Sequence, residues 1–229
     1  MSSVNITRAE AQQRSQVITA HNSKVLVDLS GRDPNGDPLA EPTETFVSSS
    51  TIEFSSTGGE SHLDLIADGV YAADLDGTPL DPAAFSNNRF PFTTEAGTHE
   101  ITVTALCRYS HSGEGLHRFV DPADGKVYLY TQFEIADARR MYADFEQPDQ
   151  KMTFELQVIA PTGWTVVSNS PTPEPTEGPW EGMSRWSFEP TLPISTYLTA
   201  LVAGEYYIDH GTIHTLSGEM DADILCRQS

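Results

Sequence analysis

Two polar residues, Gln132 and Glu134, stand two apart in the otherwise apolar run VYLYTQFEI. On a strand, alternate residues share a face, so this spacing predicts two side chains pointing together into whatever the strand borders. A glutamate facing a cleft calls for a cationic partner, because a desolvated carboxylate is costly unless it is paired and hydrogen-bonded. The same stretch, Tyr130 to Gln150, continues into Arg139, Arg140, Asp144 and Glu146. A plainer reading makes residues 136–141 a short connector helix whose arginines pair with Asp137, Asp144 or Glu146 in a solvated charge network. The residues by themselves leave both readings open.

Other chemistry-bearing residues lack the spacing their chemistry needs. HExxH would place two zinc ligands one helical turn apart with a general base between them, yet His99-Glu100 has no second histidine and sits in an alternating pattern. His210 and His214 are four apart, but Gly211, Thr212 and Ile213 argue against a helix, and an extended chain separates them by about 13 Å. Asp33, Asn35, Asp37 and Glu44 fall on calcium-loop positions, with Pro38 where that loop needs glycine. They read as a surface turn. His111 and His117 near Ser110 and Ser112 have no nucleophile elbow or orienting acid and read as loop residues. Neither G-x-G-x-x-G nor a P-loop occurs. Cys107 and Cys226 match no metal or redox spacing and read as free thiols.

The elements that must position Gln132 and Glu134 follow from periodicity. Thr7 with Glu10 forms a capping box and predicts an amino-terminal helix. Thereafter the period is two: Val25, Val27 and Leu29 share a face, as do Phe46, Ile52 and Phe54, then Ile101, Val103, Ala105 and Cys107, then Phe154, Leu156 and Val158. Turn residues at DPNGDP, DGTPLDP, PADG and PTG separate these strands. SPTPEPTEGP predicts an exposed loop joining strands at GWTVVSNS and MSRWSFEP, and STYLTALVAGEYYI predicts a central, doubly covered strand. The fold class is all-β, a sandwich of half-buried antiparallel strands.

The 229 residues suffice for a core without disulfides. A net charge of −20 repels phosphate backbones and anionic membranes, which speaks against nucleic-acid and membrane partners. The amino terminus carries no basic region followed by an apolar run, and the expected compartment is cytoplasmic. GEMDADILCRQS ends without a helix stop or turn residues, and the chain is expected to be a fragment.

The run from Gly113 to Ser170 resembles the amino-terminal domain of bacterial aminopeptidase N, in the M1 family of zinc metallopeptidases. The family pattern Gln-x-Glu, Ala-Arg, Asp-x-Pro-Asp appears as Gln132-Phe133-Glu134, Ala138-Arg139 and FEQPD, with Glu146 where aspartate is more usual. Residues 194–206 resemble the strand that closes that domain. The resemblance implies a saddle-shaped, antiparallel or mixed β-sandwich over residues 1–208, with 209–229 starting the connection to a catalytic domain. It also implies that Glu134 anchors the free α-amino group of a peptide and that Gln132 lines the pocket for the first side chain. Gly-x-Met-Glu-Asn and HExxH are absent from these residues, so zinc is implied for the parent enzyme and not for this chain, and the implied partners are peptide amino termini and the catalytic domain of the same polypeptide. Two alternatives stay open: a free-standing acidic β-sandwich for binding or adhesion, and a scaffold paralogue without metal.

Overall fold

The computed structural model describes residues 5–229. Thr7 caps helix α1 (Arg8–Val17): its hydroxyl accepts the Glu10 amide at 3.2 Å while the Glu10 carboxylate accepts the Thr7 amide at 2.8 Å. Both ends of the capping box are thereby satisfied, as the sequence predicts. The strands follow in order: β1 (Ile18–Asp28), β2 (Thr45–Asp64), β3 (Gly69–Leu75), β4 (Thr78–Leu80), β5 (Arg89–Arg108), β6 (Gly115–Val120) and β7 (Val127–Gln132). The second half contributes β8 (Thr153–Pro161), β9 (Thr165–Ser168), β10 (Thr176–Glu177), β11 (Met183–Ser187), β12 (Leu201–Gly204), β13 (Tyr207–Thr215) and β14 (Gly218–Cys226).

The strands form an eight-stranded sheet, β10-β11-β8-β1-β2-β5-β3-β4, a four-stranded sheet, β6-β7-β12-β9, and a separate hairpin, β13-β14. The chain is an all-β sandwich. All pairings are antiparallel except β1 with β8, which run parallel from Asn22 opposite Thr153 to Asp28 opposite Ile159. One apolar core spans the two larger sheets, joining Val25, Phe46, Ile52, Phe54, Ile101 and Val103 from the large one to Leu116, Leu129, Val166 and Leu201 from the small one. The alternation read from the sequence therefore assigns these inward faces correctly.

One segment differs from expectation, and the proline-rich loop joins the two strands expected of it. The run from Ser195 to Ile208 is not one long strand: a 3-10 turn at Thr196–Leu198 precedes β12, which lies centrally between β7 and β9. It stops at Gly204, where φ is +149° and an added Cβ would lie 2.4 Å from the Val127 carbonyl oxygen. Only glycine permits this approach of β7, and the chain changes direction there before β13. The proline-rich loop joins β9 to β10 and β11, which belong to different sheets, so it crosses from one layer of the sandwich to the other.

Between β7 and β8 the chain leaves regular structure yet stays inside. Met141 to Gln147 are seven consecutive buried residues with no strand among them. Buried backbone without a ladder needs other partners. Ser50 on β2 donates its hydroxyl to the Ala143 carbonyl at 2.7 Å, and Asp64 and Asp144 exchange main-chain hydrogen bonds at 2.8 and 3.1 Å.

Candidate functional site

Gln132 is the last residue of β7, and it faces Gly115 on β6. Glu134 lies beyond the strand, in a turn closed by the Asp137 amide donating to the Phe133 carbonyl at 3.1 Å. The Glu134–Ile135 peptide is cis. Exposure alternates through this corner: Gln132 is open, Phe133 is buried at 2% and Glu134 is open again. The two predicted site residues therefore stand on the solvent side of a chain anchored by Phe133, which meets Tyr142 edge-on at 6.3 Å. Glu134 belongs to a turn where the sequence pattern extends the strand.

The neighbourhood is already charge-matched except at Glu134. Arg140 pairs with Asp137 at 2.6 Å and with Glu114 at 3.8 Å. Its aliphatic stem crosses Gly115, where φ is +67° and an added Cβ would lie 3.0 Å from the Arg140 Cβ and Cδ. Glycine at this position leaves room for the arginine stem over the residue that pairs with Gln132. Among the described residues no cation pairs with the exposed Glu134 carboxylate. Two residues before Gln132, exposed Tyr130 meets His117 at a tilt with centroids 4.8 Å apart, and both line a depression of about 490 Å³ whose other walls are Phe119, Tyr128, Tyr206, Leu225, Cys226 and Arg227. The Phe119 face already carries the Arg227 guanidinium at 5.1 Å, so the group on this surface open to an incoming cation is the exposed Glu134 carboxylate.

Half of the charged and amide side chains in the 130–150 stretch point the other way, into the protein. Arg139, Asp144, Glu146, Gln147 and Gln150 are all buried. The predicted connector helix is a single 3-10 turn, Ala138–Arg140, and only Arg140 makes the half-exposed pairing expected of a solvated network. Glu146 accepts the Arg139 amide at 2.8 Å with one oxygen and the Thr196 hydroxyl at 2.7 Å with the other. Burial pushes its carboxyl up to about 7, against those two hydrogen bonds. Asp64 is paired with buried Arg14 of α1 at 2.9 Å and lies 3.6 Å from His62. Among the described residues Asp144 has no donor for either oxygen, and burial, reinforced by the charges of Glu146 and Asp64, drives its carboxyl well above the usual range. Gln147 reaches the Ala11 carbonyl and Ser15 hydroxyl of α1 at 3.1 and 2.6 Å, and Gln150 bonds Ile18 and Ala20 of β1 at 3.0 and 3.1 Å. The segment is a post to which α1, β1, β2 and the Thr196 turn are tied. Sequence reasoning missed this network; the aromatic residues Tyr142 and Phe145 flanking the two acids are the signal that the acids lie among apolar side chains.

The profile of the Peptidase M1 N-terminal domain matches residues 83–198, just over half of the chain. The chain belongs to this family. It is 44% identical to aminopeptidase N of Streptomyces lividans over its whole length, covering 26% of that protein. It is 38% identical to aminopeptidase N of Acetobacter pasteurianus over 56% of the chain and 37% of that protein, and 36% identical to aminopeptidase N of Bos taurus over 49% of the chain and 12% of that protein. The chain thus spans about a quarter of its Streptomyces relative. M1 aminopeptidases use zinc in their catalytic domain. Among the described residues no group of three or more histidines, cysteines and carboxylates is arranged to hold a metal. His210 and His214 lie on an exposed strand, each paired with a carboxylate across the hairpin, Asp223 at 2.7 Å and Glu219 at 3.1 Å, and do not fit a zinc site. Among the described residues no helix is long and apolar enough to cross a membrane.

Proposed function

We propose that this chain is the substrate-anchoring amino-terminal domain of a zinc-dependent aminopeptidase that removes amino-terminal residues from peptides. Glu134 receives the free α-ammonium group through charge-assisted hydrogen bonds, and Gln132 borders the pocket for the first side chain. The observation carrying this reading is the corner itself: two polar side chains held open on a rigid turn, with the nearby arginine already matched by Asp137 and Glu114. The α-ammonium group, with a pKa near 8, is charged in much of the population at neutral pH, and the acidic field of the domain favours its arrival. Metal, activated water and general base come in this reading from the remainder of the polypeptide.

The partner in this reading is the catalytic domain, and the hairpin gives it a surface. Opposed residues on antiparallel strands share a face, so Tyr207, Ile213, Met220 and Ile224 lie together on one side of β13-β14, all more than half exposed. The other side carries His210, His214, Asp223 and Glu219. A two-stranded ribbon is marginal alone, so an apolar face of this kind calls for a cover.

The test is hydrolysis of alanyl and leucyl chromogenic amides by the full-length polypeptide and by this chain. Turnover by the full-length protein, with a KM raised about tenfold or more by Glu134→Ala, is the expected result. Turnover by residues 1–229 alone, or an unchanged KM in the variant, would overturn the assignment.

A further inference from the structure

Glu134 owes its place to a chain of contacts that ends at one buried carboxylate. The turn carrying it is closed between Phe133 and Asp137, and the Ala136 carbonyl inside that turn accepts the Arg139 Nε at 3.0 Å. Arg139 is 2% exposed. Its carbonyl accepts the Ile66 amide at 2.7 Å, and its own amide donates to Glu146 at 2.8 Å. Glu146 in turn is held by the Thr196 hydroxyl at 2.7 Å, and its amide reaches the Asp64 carboxylate at 3.3 Å. The Glu146 carboxylate thus joins the Glu134 turn to the Thr196 turn, two segments with no strand pairing between them.

Resting on the function proposed above, we infer that Glu146 is a positioning residue for substrate: acting through Arg139, it fixes the Phe133–Asp137 turn so that Glu134 meets the incoming amine. An ionised carboxylate offers acceptors to both donors at once. A protonated one turns one oxygen into a donor: on the Arg139 side it would face an N–H that cannot accept, and on the Thr196 side the hydroxyl must reverse and accept in place of donating, so the charge-assisted hold on both segments is weakened. The groups facing it are Arg139 and Asp144 on its own segment, Asp64 on β2, Arg14 on α1 behind Asp64, and Thr196; burial holds its carboxyl up to about 7, within the range where enzymes work. The inference therefore couples the anchoring of the amine to the ionisation of a group that never touches substrate.

The experiment measures kcat and KM of the full-length polypeptide on an amino-acid anilide between about pH 6 and 8.5. It compares wild type with Glu146→Gln, Glu146→Asp, Thr196→Val, Glu134→Gln and the double variant Glu134→Gln/Glu146→Gln. Glu146→Gln is expected to raise KM about tenfold with kcat held within about twofold, and to remove a step in KM near neutrality that wild type shows beyond the titration of the substrate amine. Thr196→Val, which keeps the carboxylate and removes one donor, is expected to raise KM less, and Glu146→Asp to restore part of the loss. Adding Glu146→Gln to Glu134→Gln is expected to change KM no further. If Glu134→Gln raises KM while Glu146→Gln and Thr196→Val leave KM and its pH profile unchanged, the positioning role is wrong and the anchoring role stands. If Glu134→Gln leaves KM unchanged, the anchoring role fails and the inference falls with it. Equal losses in kcat and thermal midpoint for every substitution at 146, with KM unmoved, would make Glu146 a structural residue only.

Discussion

Asp64 and Asp144 exchange both of their main-chain hydrogen bonds, at 2.8 and 3.1 Å, and so form a directly opposed antiparallel pair. Opposed residues point their side chains to the same side. Two buried carboxylates therefore sit side by side, with Arg14 bonded to Asp64 and His62 and, among the described residues, no donor for Asp144.

From that asymmetry follows a pH dependence of stability. The folded-state pKa of Asp144 is raised, so its contribution is fully present below the ordinary carboxylate range, near 4, and is lost as pH rises toward the folded value. Asp144→Asn removes the ionisation, and the variant is expected to be more stable than wild type at pH 7 by about 1–3 kcal/mol and equal to it near pH 4. Urea unfolding at the two pH values measures this; a variant less stable at pH 7 would place an unseen donor beside the carboxylate.

Gly204 admits no side chain. An added Cβ would meet the Val127 carbonyl at 2.4 Å and the Tyr128 Cα at 3.1 Å, so β12 would have to move away from β7. Gly204→Ala is expected to cost about 2 kcal/mol or more, read as a fall in the thermal midpoint. A midpoint within error of wild type would show that the two strands separate without penalty.

The two thiols differ sharply in access. Cys107 is fully buried and burial pushes its thiol up to about 12, whereas Cys226 is exposed. A thiol reagent at neutral pH is expected to modify Cys226 rapidly and Cys107 only under denaturant. Rapid reaction of both in the native protein would mean that β5 opens readily.

Tyr207, Ile213, Met220 and Ile224 form an open apolar face. The chain is expected to enhance the fluorescence of a hydrophobic dye, and Met220→Lys with Ile224→Lys to reduce that signal by half or more without lowering the unfolding free energy by more than about 0.5 kcal/mol. Unchanged dye binding would put the exposed apolar surface elsewhere.

The inward faces of β1, β2, β5 and β8 were legible because each is read by local alternation: Val25 with Val27, Ile101 with Val103, Phe154 with Val158. The capping box was legible for the same reason, since Thr7 and Glu10 are three residues apart. Ser48 and Ser50 interrupt the apolar face of β2 in sequence, yet both are buried, and Ser50 serves the Ala143 carbonyl 93 residues away. The Gln132 and Glu134 corner was visible as a pattern, though not as a turn. The burial of Asp144 and Glu146 had only one local signal, the aromatic residues Tyr142 and Phe145 beside them. Acidic residues are exposed by default, and the contacts that fix this segment inside include two from far along the chain, the main-chain pairing of Asp64 with Asp144 and the Thr196 hydroxyl on the Glu146 carboxylate.

The parallel pairing of β1 with β8 has a bearing on how the protein is made. β1 meets β2 across the connection formed by residues 29–44, but its other edge stays open until residues 153–159 exist to cover it. A ribosome adding about 5–20 residues per second leaves that edge unpaired for many seconds after β1 emerges. Over that interval a hydrogen-bonding edge flanked by Val25 and Val27 is free to take a strand from another chain. The nascent domain is thus most exposed to misassembly before the Gln147–Gln150 segment arrives to tie α1 and β1 down, and a chaperone acting on it has its task set by that delay.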